Sequence, residues 1–138
     1  MIVFYDGECG FCKVCVAVLL AWDRSRRLYP MTIQEPEGQH LLASVPEDER
    51  LDSAHVRGAG GTIFSGAVGA PHVLRQLPGG SPLATVVTIA MPLVQAAYRL
   101  VTSARPVIGS ILPAAWCNWA EGRIAERRRG TTPPTSTL

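Results

Sequence analysis

The sequence predicts a mixed α/β domain. Its 138 residues are 47% hydrophobic and 17% charged, so we expect one folded domain with a sizeable core and not a disordered chain. Short apolar runs typical of strands alternate with longer runs typical of helices, in the order β-α-β-α-β-β-α, and more helices follow. The formal net charge of +2 is too small to indicate nucleic acid as a partner.

The first three elements are predicted as strand, helix and strand. Residues 2–5 are continuously apolar, which favours a buried strand that ends in an Asp-Gly turn. Residues 9–22 carry apolar side chains on most faces of a helix, and the polar residues 23–27 end it. Residues 28–34 alternate as a strand does. Because Pro30 cannot donate a ladder hydrogen bond, we expect an edge strand there, or a bulge at Pro30.

Shorter elements complete the sheet. We expect a turn at 35–38, a short helix at 39–44 and an acidic loop at 46–52. Two strands follow at 54–57 and 62–65, then a helix at 71–77 and a break at 78–82. The two strands are joined by a glycine-rich turn, which predicts a hairpin. The strand–helix–strand start implies a parallel pair, and the hairpin adds antiparallel strands to the same sheet. This order is that of a small thioredoxin-like domain.

The last third of the chain is predicted to be helical. Three helices, at 83–90, 92–104 and 107–129, are punctuated by Pro92, Pro106 and Pro113. The uncharged run 83–98 is too short for a membrane span, so we expect a buried or surface-docked helix pair. Arginines at 123 and 127–129 predict a solvated basic face, with contact to nucleic acid or a membrane surface as the alternative.

The main chemical signal is Asp-Gly-Glu-Cys-Gly-Phe-Cys over residues 6–12, after a predicted strand and at the start of a predicted helix. Two cysteines at this spacing can close a small disulfide ring. The unpaired N–H groups and positive dipole at the helix start favour the thiolate of Cys9. We therefore predict Cys9 as the nucleophile and Cys12 as the resolving thiol. The alternative is that both are small buried residues at a helix start.

Three neighbours of the two cysteines are further candidates. Asp6 either assists proton transfer at Cys12 or serves only as the turn or capping residue, and its residue type favours the second role. Gly10 and Phe11, between the cysteines, are predicted to shape the substrate groove.

The other two cysteines are predicted to be packed thiols. Three cysteines at 9, 12 and 15 invite a zinc or iron–sulfur interpretation, but a fourth nearby ligand is missing and Cys117 is remote. The three histidines are scattered, so we predict no metal. Cys15 is expected on the inner face of the helix and Cys117 is expected to be buried. Clustered cysteines without a leader-like start favour a cytoplasmic protein.

The segment around Asp6, Cys9 and Cys12 resembles the DCC family of thiol-disulfide oxidoreductase-like proteins, named after an Asp-x-x-Cys-x-x-Cys signature that follows a first strand. Residues 34–42, 91–99, Arg105 and Gly109 resemble later parts of that family, so the similarity covers roughly residues 1–110. It implies a thioredoxin-like fold, dithiol–disulfide exchange with a protein or small-thiol substrate, and no organic cofactor.

The sequence also departs from the expected pattern. Residues 54–57 are more polar than a central strand should be, and no proline lies just before them, where many thioredoxin-like enzymes place a cis-proline that holds the substrate chain. We predict a dithiol–disulfide oxidoreductase. The alternatives are a non-catalytic module that binds a metal or docks on a partner or membrane, and a redox sensor without turnover. The predicted division is a redox domain at 1–80, a helical extension packed on it at 81–129, and a disordered tail at 130–138.

Overall fold

A computed structural model describes residues 1–133 of the chain, so residues 134–138 of the predicted tail lie outside the described part. Four strands, β1 (Ile2–Tyr5), β2 (Tyr29–Thr32), β3 (His55–Arg57) and β4 (Ile63–Ser65), form one sheet in the order β2-β1-β3-β4. β1 pairs parallel with β2 and antiparallel with β3, and β3 pairs antiparallel with β4. The predicted parallel pair and hairpin are confirmed, and Pro30 lies on an edge strand.

Helices cover this sheet in the predicted order. Within the described residues they are α1 (Gly10–Trp22), α2 (Pro36–Leu41), α3 (Ala70–Leu74), α4 (Gly80–Ile89), α5 (Met91–Ile111) and α6 (Ala114–Arg129). Two 3-10 turns, Glu47–Glu49 and Gly66–Gly69, flank the hairpin. The mixed α/β architecture is thus the predicted thioredoxin-like one, with α1 as the crossover from β1 to β2.

Several predicted helix boundaries are wrong. α2 begins at Pro36 and not at residue 39, because proline fits the first helical turn. α3 ends at Leu74, three residues before the predicted end. α4 begins at Gly80, inside the predicted break: Gly79 has a φ of +70°, and a Cβ at Gly80 would overlap the Leu74 carbonyl oxygen. These two glycines let the chain reverse tightly and enter the helix at once.

The predicted helix break at Pro106 is also wrong. Pro106 lies inside α5, and the break comes only at Leu112 and Pro113, the last of the three predicted prolines. A proline within a helix leaves the carbonyl four residues earlier without its backbone donor. Here that carbonyl belongs to Thr102, and it accepts a hydrogen bond from Nε of Arg105 at 3.3 Å. The side chain of Arg105 thus replaces the missing N–H and lets the helix continue.

The core lies on both faces of the sheet, because β1 is buried on both. Alternate residues of a strand point to opposite faces. Val3 and Tyr5 join a cluster with residues of α1 and α6, whereas Ile2 and Phe4 join a cluster with β2 and Leu42. This two-sided burial explains why the first strand is continuously apolar.

A buried histidine explains the unexpected polarity of β3. The two ring nitrogens of His55 bind Ser65 Oγ at 2.7 Å and the Arg50 carbonyl oxygen at 2.9 Å. Burial lowers the pKa of His55 and favours the neutral ring, which can donate one of these hydrogen bonds and accept the other. The polar side chain is therefore a satisfied member of the core.

A buried ion pair joins α1 to α6. Asp23 is fully buried and accepts hydrogen bonds from Arg127 Nη1 and from the backbone N–H of Leu28. Arg127 is 7% exposed, and Arg128 binds Glu35 through two hydrogen bonds of 2.7 Å. The solvated basic face predicted for the end of the last helix is therefore wrong for these two arginines, which hold α6 against the rest of the fold.

The outer surfaces of α4 and α5 are apolar. α5 exposes a stripe of large side chains in which Leu93, Leu100 and Ile111 are each more than 70% exposed. In the described part of the chain, no single helix has both the length and the apolar composition for a membrane span. α4 and α5, bent by 93° at their junction, meet that criterion together, by length and composition only.

We expect Arg127→Leu to lower the free energy of unfolding by about 3–5 kcal/mol, because it leaves the Asp23 carboxylate buried without its cation. Urea unfolding followed by circular dichroism measures the difference. The control is Arg123→Leu on the same helix, which removes only a surface pair with Glu126, worth about 0–1 kcal/mol. Equal losses in the two variants would show that the buried pair does not hold α6.

Candidate active site

Cys9 lies between the first strand and the first helix. β1 ends at Tyr5, a short turn follows, and Cys9 is the N-cap of α1 with extended backbone angles. The backbone N–H of Cys12 donates to Cys9 Sγ at 3.2 Å. Sulfur thus takes the place of the oxygen that usually caps a helix, and it is a stronger acceptor as a thiolate than as a thiol.

A second set of hydrogen bonds fixes the turn before Cys9. Asp6 Oδ1 accepts the backbone N–H of Glu8 at 2.9 Å and Nε2 of Gln34 at 2.7 Å. Oε1 of Gln34 in turn accepts the N–H of Gly7 at 3.0 Å. Gln34 follows β2, the parallel neighbour of β1. The turn that carries the first cysteine is therefore held from the adjacent strand end.

Cys12 is half-buried one turn into the same helix. Burial, followed by the hydrogen bond and charge of Cys9, raises the pKa of the Cys12 thiol to about 12. Arg105 works in the opposite direction, because its Nη1 lies 3.9 Å from Cys12 Sγ. At neutral pH Cys12 therefore keeps its proton, with a cation beside its sulfur.

Arg105 is a residue of the site that was not among the predicted site residues. Its Nη2 donates to the carbonyl oxygens of Leu51 and Asp52, at 3.1 and 3.5 Å, and Nε donates to Thr102. These bonds fix the guanidinium over the dithiol. Two signals in the sequence pointed towards it: Arg105 is part of the family resemblance, and the missing N–H of Pro106 frees the Thr102 carbonyl that Arg105 binds.

Tyr98 is a second contribution of α5 that sequence reasoning missed. Its hydroxyl accepts the backbone N–H of Ala54 at 2.9 Å, just before β3. Burial raises the pKa of Tyr98, so the phenol stays protonated at neutral pH. Arg105 and Tyr98 together place α5 across the side of the sheet on which the dithiol lies.

Two cavities adjoin the dithiol, and Arg105 and Asp6 line both. One is apolar, with a volume of about 270 Å³, and its walls include Phe11, Cys12, Cys15, Tyr98 and Val101. The other is an open cleft of about 450 Å³, and its walls include Glu8, Cys9, Gly10, Pro106, Gly109 and Ser110. The structure thus brings all five predicted site residues together around one dithiol.

The prediction for Cys15 is wrong, and Cys117 is less buried than predicted. Cys15 is exposed and faces the apolar cavity, since the inner face of α1 is occupied by Val16 and Leu20. Cys117 is only partly buried, and its Sγ lies 3.3 Å from the point where a Cβ of Gly10 would stand. A side chain at position 10 would therefore press on α6. Among residues 1–133, no group of three or more His, Cys, Asp or Glu is placed to hold a metal ion.

A sheet of this order, with a Cys-x-x-Cys dithiol opening the helix after the first strand, defines the class of thioredoxin-like proteins. The chain matches the DCC1-like thiol-disulfide oxidoreductase family over residues 3–110 and belongs to that family. This match confirms the resemblance drawn from the Asp-x-x-Cys-x-x-Cys signature. It extends into α5 and includes Arg105 and Gly109. No curated protein and no solved structure matches the chain.

We expect Cys12 to resist alkylation in the reduced protein. With a pKa of about 12, its initial rate of reaction with iodoacetamide should rise about tenfold per pH unit from pH 8 to 10 without a plateau. Peptide mass spectrometry at low modification reads each cysteine separately. Arg105→Gln should slow Cys12 alkylation further at every pH, because the neighbouring cation lowers this pKa.

Arg99→Gln is the matched control for this experiment, because Arg99 lies exposed on the same helix. It should leave the alkylation rate of Cys12 unchanged. A plateau for Cys12 below pH 10, or equal rates in the two arginine variants, would contradict the placement of the guanidinium beside the buried thiol.

Proposed function

We propose that the protein is a dithiol–disulfide oxidoreductase in which Cys9 is the nucleophile and Cys12 the resolving thiol. The observation that carries this proposal is the N-cap position of Cys9, whose sulfur accepts the Cys12 N–H and lines the open cleft. The family membership supports the same chemistry. Cys12 fits the second role because it is one turn deeper and keeps its proton.

The first step is attack by the Cys9 thiolate on one sulfur of the substrate disulfide. A new S–S bond forms between Cys9 and that sulfur, the substrate S–S bond breaks, and the other substrate sulfur leaves as a thiolate that takes up a proton. The Cys12 N–H stays bonded to Cys9 while the sulfur gives up its charge. At this stage the Cys9 sulfur has been oxidised to the disulfide level and the released substrate sulfur has been reduced to the thiol level.

The second step closes the Cys9–Cys12 disulfide. Cys12 loses its proton, attacks Cys9 Sγ and releases the second substrate sulfur as a thiol, so that two electrons have passed to the substrate. Arg105 favours this step because its charge lowers the pKa of Cys12. Two thiols, or one dithiol, then reduce the Cys9–Cys12 disulfide and are themselves oxidised to a disulfide, which returns the enzyme to the dithiol state. We place this chemistry in the cytoplasm, where thiols are kept reduced.

The neighbouring residues have supporting roles in this proposal. Asp6 orders the turn through Gln34 and Glu8, which favours a positioning role over proton transfer. Gly10 lines the cleft and leaves room for α6, and Phe11 lines the apolar cavity beside Cys12. Both thus shape the space that a substrate enters.

We expect Cys9→Ser to abolish the reduction of a disulfide substrate, because Cys9 is the one cysteine of residues 1–133 that lines the cleft. Cys12→Ser should still attack but should accumulate a mixed disulfide on Cys9, which mass spectrometry of the non-reduced protein detects. Cys15→Ser is the control, since it removes a neighbouring cysteine to which the proposal gives no role. Full activity in Cys9→Ser would refute the mechanism.

A further inference from the structure

The backbone just before β3 is hydrogen-bonded to side chains of α5. The N–H of Ala54 donates to Tyr98 Oη at 2.9 Å, and Arg105 binds the carbonyl oxygens of Leu51 and Asp52 at 3.1 and 3.5 Å. An extended polypeptide that docks on a sheet edge needs free N–H and C=O groups. Here three such groups, on Leu51, Asp52 and Ala54, are already bonded to side chains of α5, so a substrate chain would have to compete with the helix for this loop.

The open cleft gives access to Cys9 from another direction. One wall is the turn from Asp6 to Gly10, and the other is the stretch of α5 from Arg105 to Ser110. Its volume of about 450 Å³ lies within the range of small-molecule sites, about 300–1,000 Å³. Gly109 adds to this space, because no heavy atom lies within 4 Å of the point where its Cβ would stand.

The two walls carry opposite charges. The turn wall has the carboxylates of Asp6 and Glu8, and Glu8 is exposed. The α5 wall has Arg105, whose Nε and Nη2 donate to backbone carbonyls and whose Nη1 lies against Cys12. Of the five guanidinium N–H groups, one on Nη1 has no acceptor among residues 1–133. The cleft therefore offers acceptors for an ammonium group and a donor for a carboxylate.

We propose that the substrate is a small disulfide with amino-acid groups, carrying both an ammonium and a carboxylate, and that it binds in this cleft with a sulfur at Cys9. This inference rests on the exchange activity proposed above and names its substrate class. The chemistry is the same two-electron exchange: the substrate disulfide is reduced to two thiols while the Cys9–Cys12 dithiol becomes a disulfide. Disulfides in folded proteins are poor substrates because α5 covers the loop edge.

The test compares four small disulfides as oxidants of the reduced protein. Cystine carries both charged groups, cystamine only the ammonium, 3,3′-dithiodipropionate only the carboxylate, and bis(2-hydroxyethyl) disulfide neither. Each rate is divided by the rate at which the same disulfide reacts with dithiothreitol, which corrects for the intrinsic reactivity of that disulfide. We expect the normalised rate for cystine to exceed that of the neutral disulfide at least tenfold. Insulin, which represents disulfides in folded proteins, should react more slowly than the neutral disulfide.

Two pairs of variants test the cleft itself. Gly109→Leu places a side chain in the cleft and should slow all four disulfides severalfold, whereas Gly122→Leu, at an equally open helical glycine on α6, should not. Glu8→Gln should slow cystine and cystamine but not 3,3′-dithiodipropionate. The exposed Glu37 on α2 provides the matched control, Glu37→Gln.

The outcomes separate the two proposals. Equal normalised rates for the four disulfides, or equal effects of the two glycine variants, would overturn the substrate class while leaving the exchange activity in place. A faster reaction with insulin than with cystine would overturn it as well. If none of the disulfides oxidises the Cys9–Cys12 pair, the proposed function itself fails.

Discussion

The geometry of the dithiol depends on the unpaired N–H groups where α1 begins. A helix start needs acceptors for its first amides, and here the sulfur of Cys9 supplies one of them. That position follows from β1, which is buried on both faces and ends one short turn earlier. Gln34, beyond the parallel strand, holds the turn through Asp6 and Gly7. The sheet, the turn and the helix thus fix the sulfur of Cys9 in a partly exposed, hydrogen-bonded position.

The C-terminal helices make the site a cleft. α6 is tied to α1 by the buried pair between Arg127 and Asp23, and α5 is tied to the loop before β3 by Arg105 and Tyr98. Pro106 contributes to this arrangement, because the carbonyl that it frees binds Arg105. Arg105 therefore stabilises the helix, binds the loop before β3 and lowers the pKa of Cys12. The absence of a proline just before β3 fits this arrangement, since α5 occupies that edge.

Local signals in the sequence were sufficient for much of the fold. The apolar run of β1, the turn after it and the spacing of Cys9 and Cys12 each act over a few residues, so the strand, the helix start and the dithiol were predicted. The missed features depend on distant contacts: Arg105 meets Cys12 across 93 residues, and Arg127 meets Asp23 across 104. Neither residue type nor spacing reports such a contact. Arg127 therefore resembled a solvated charge, and Pro106 resembled a helix break.

A redox titration of the Cys9–Cys12 pair tests the central claim most directly. The protein is equilibrated in glutathione buffers of known potential, free thiols are alkylated, and each cysteine is read by peptide mass spectrometry. The account predicts a reversible two-electron couple confined to Cys9 and Cys12, between roughly −270 and −120 mV, as in exchange catalysts. Thiols that never pair, or a couple below about −300 mV, would identify a structural cysteine pair and contradict it.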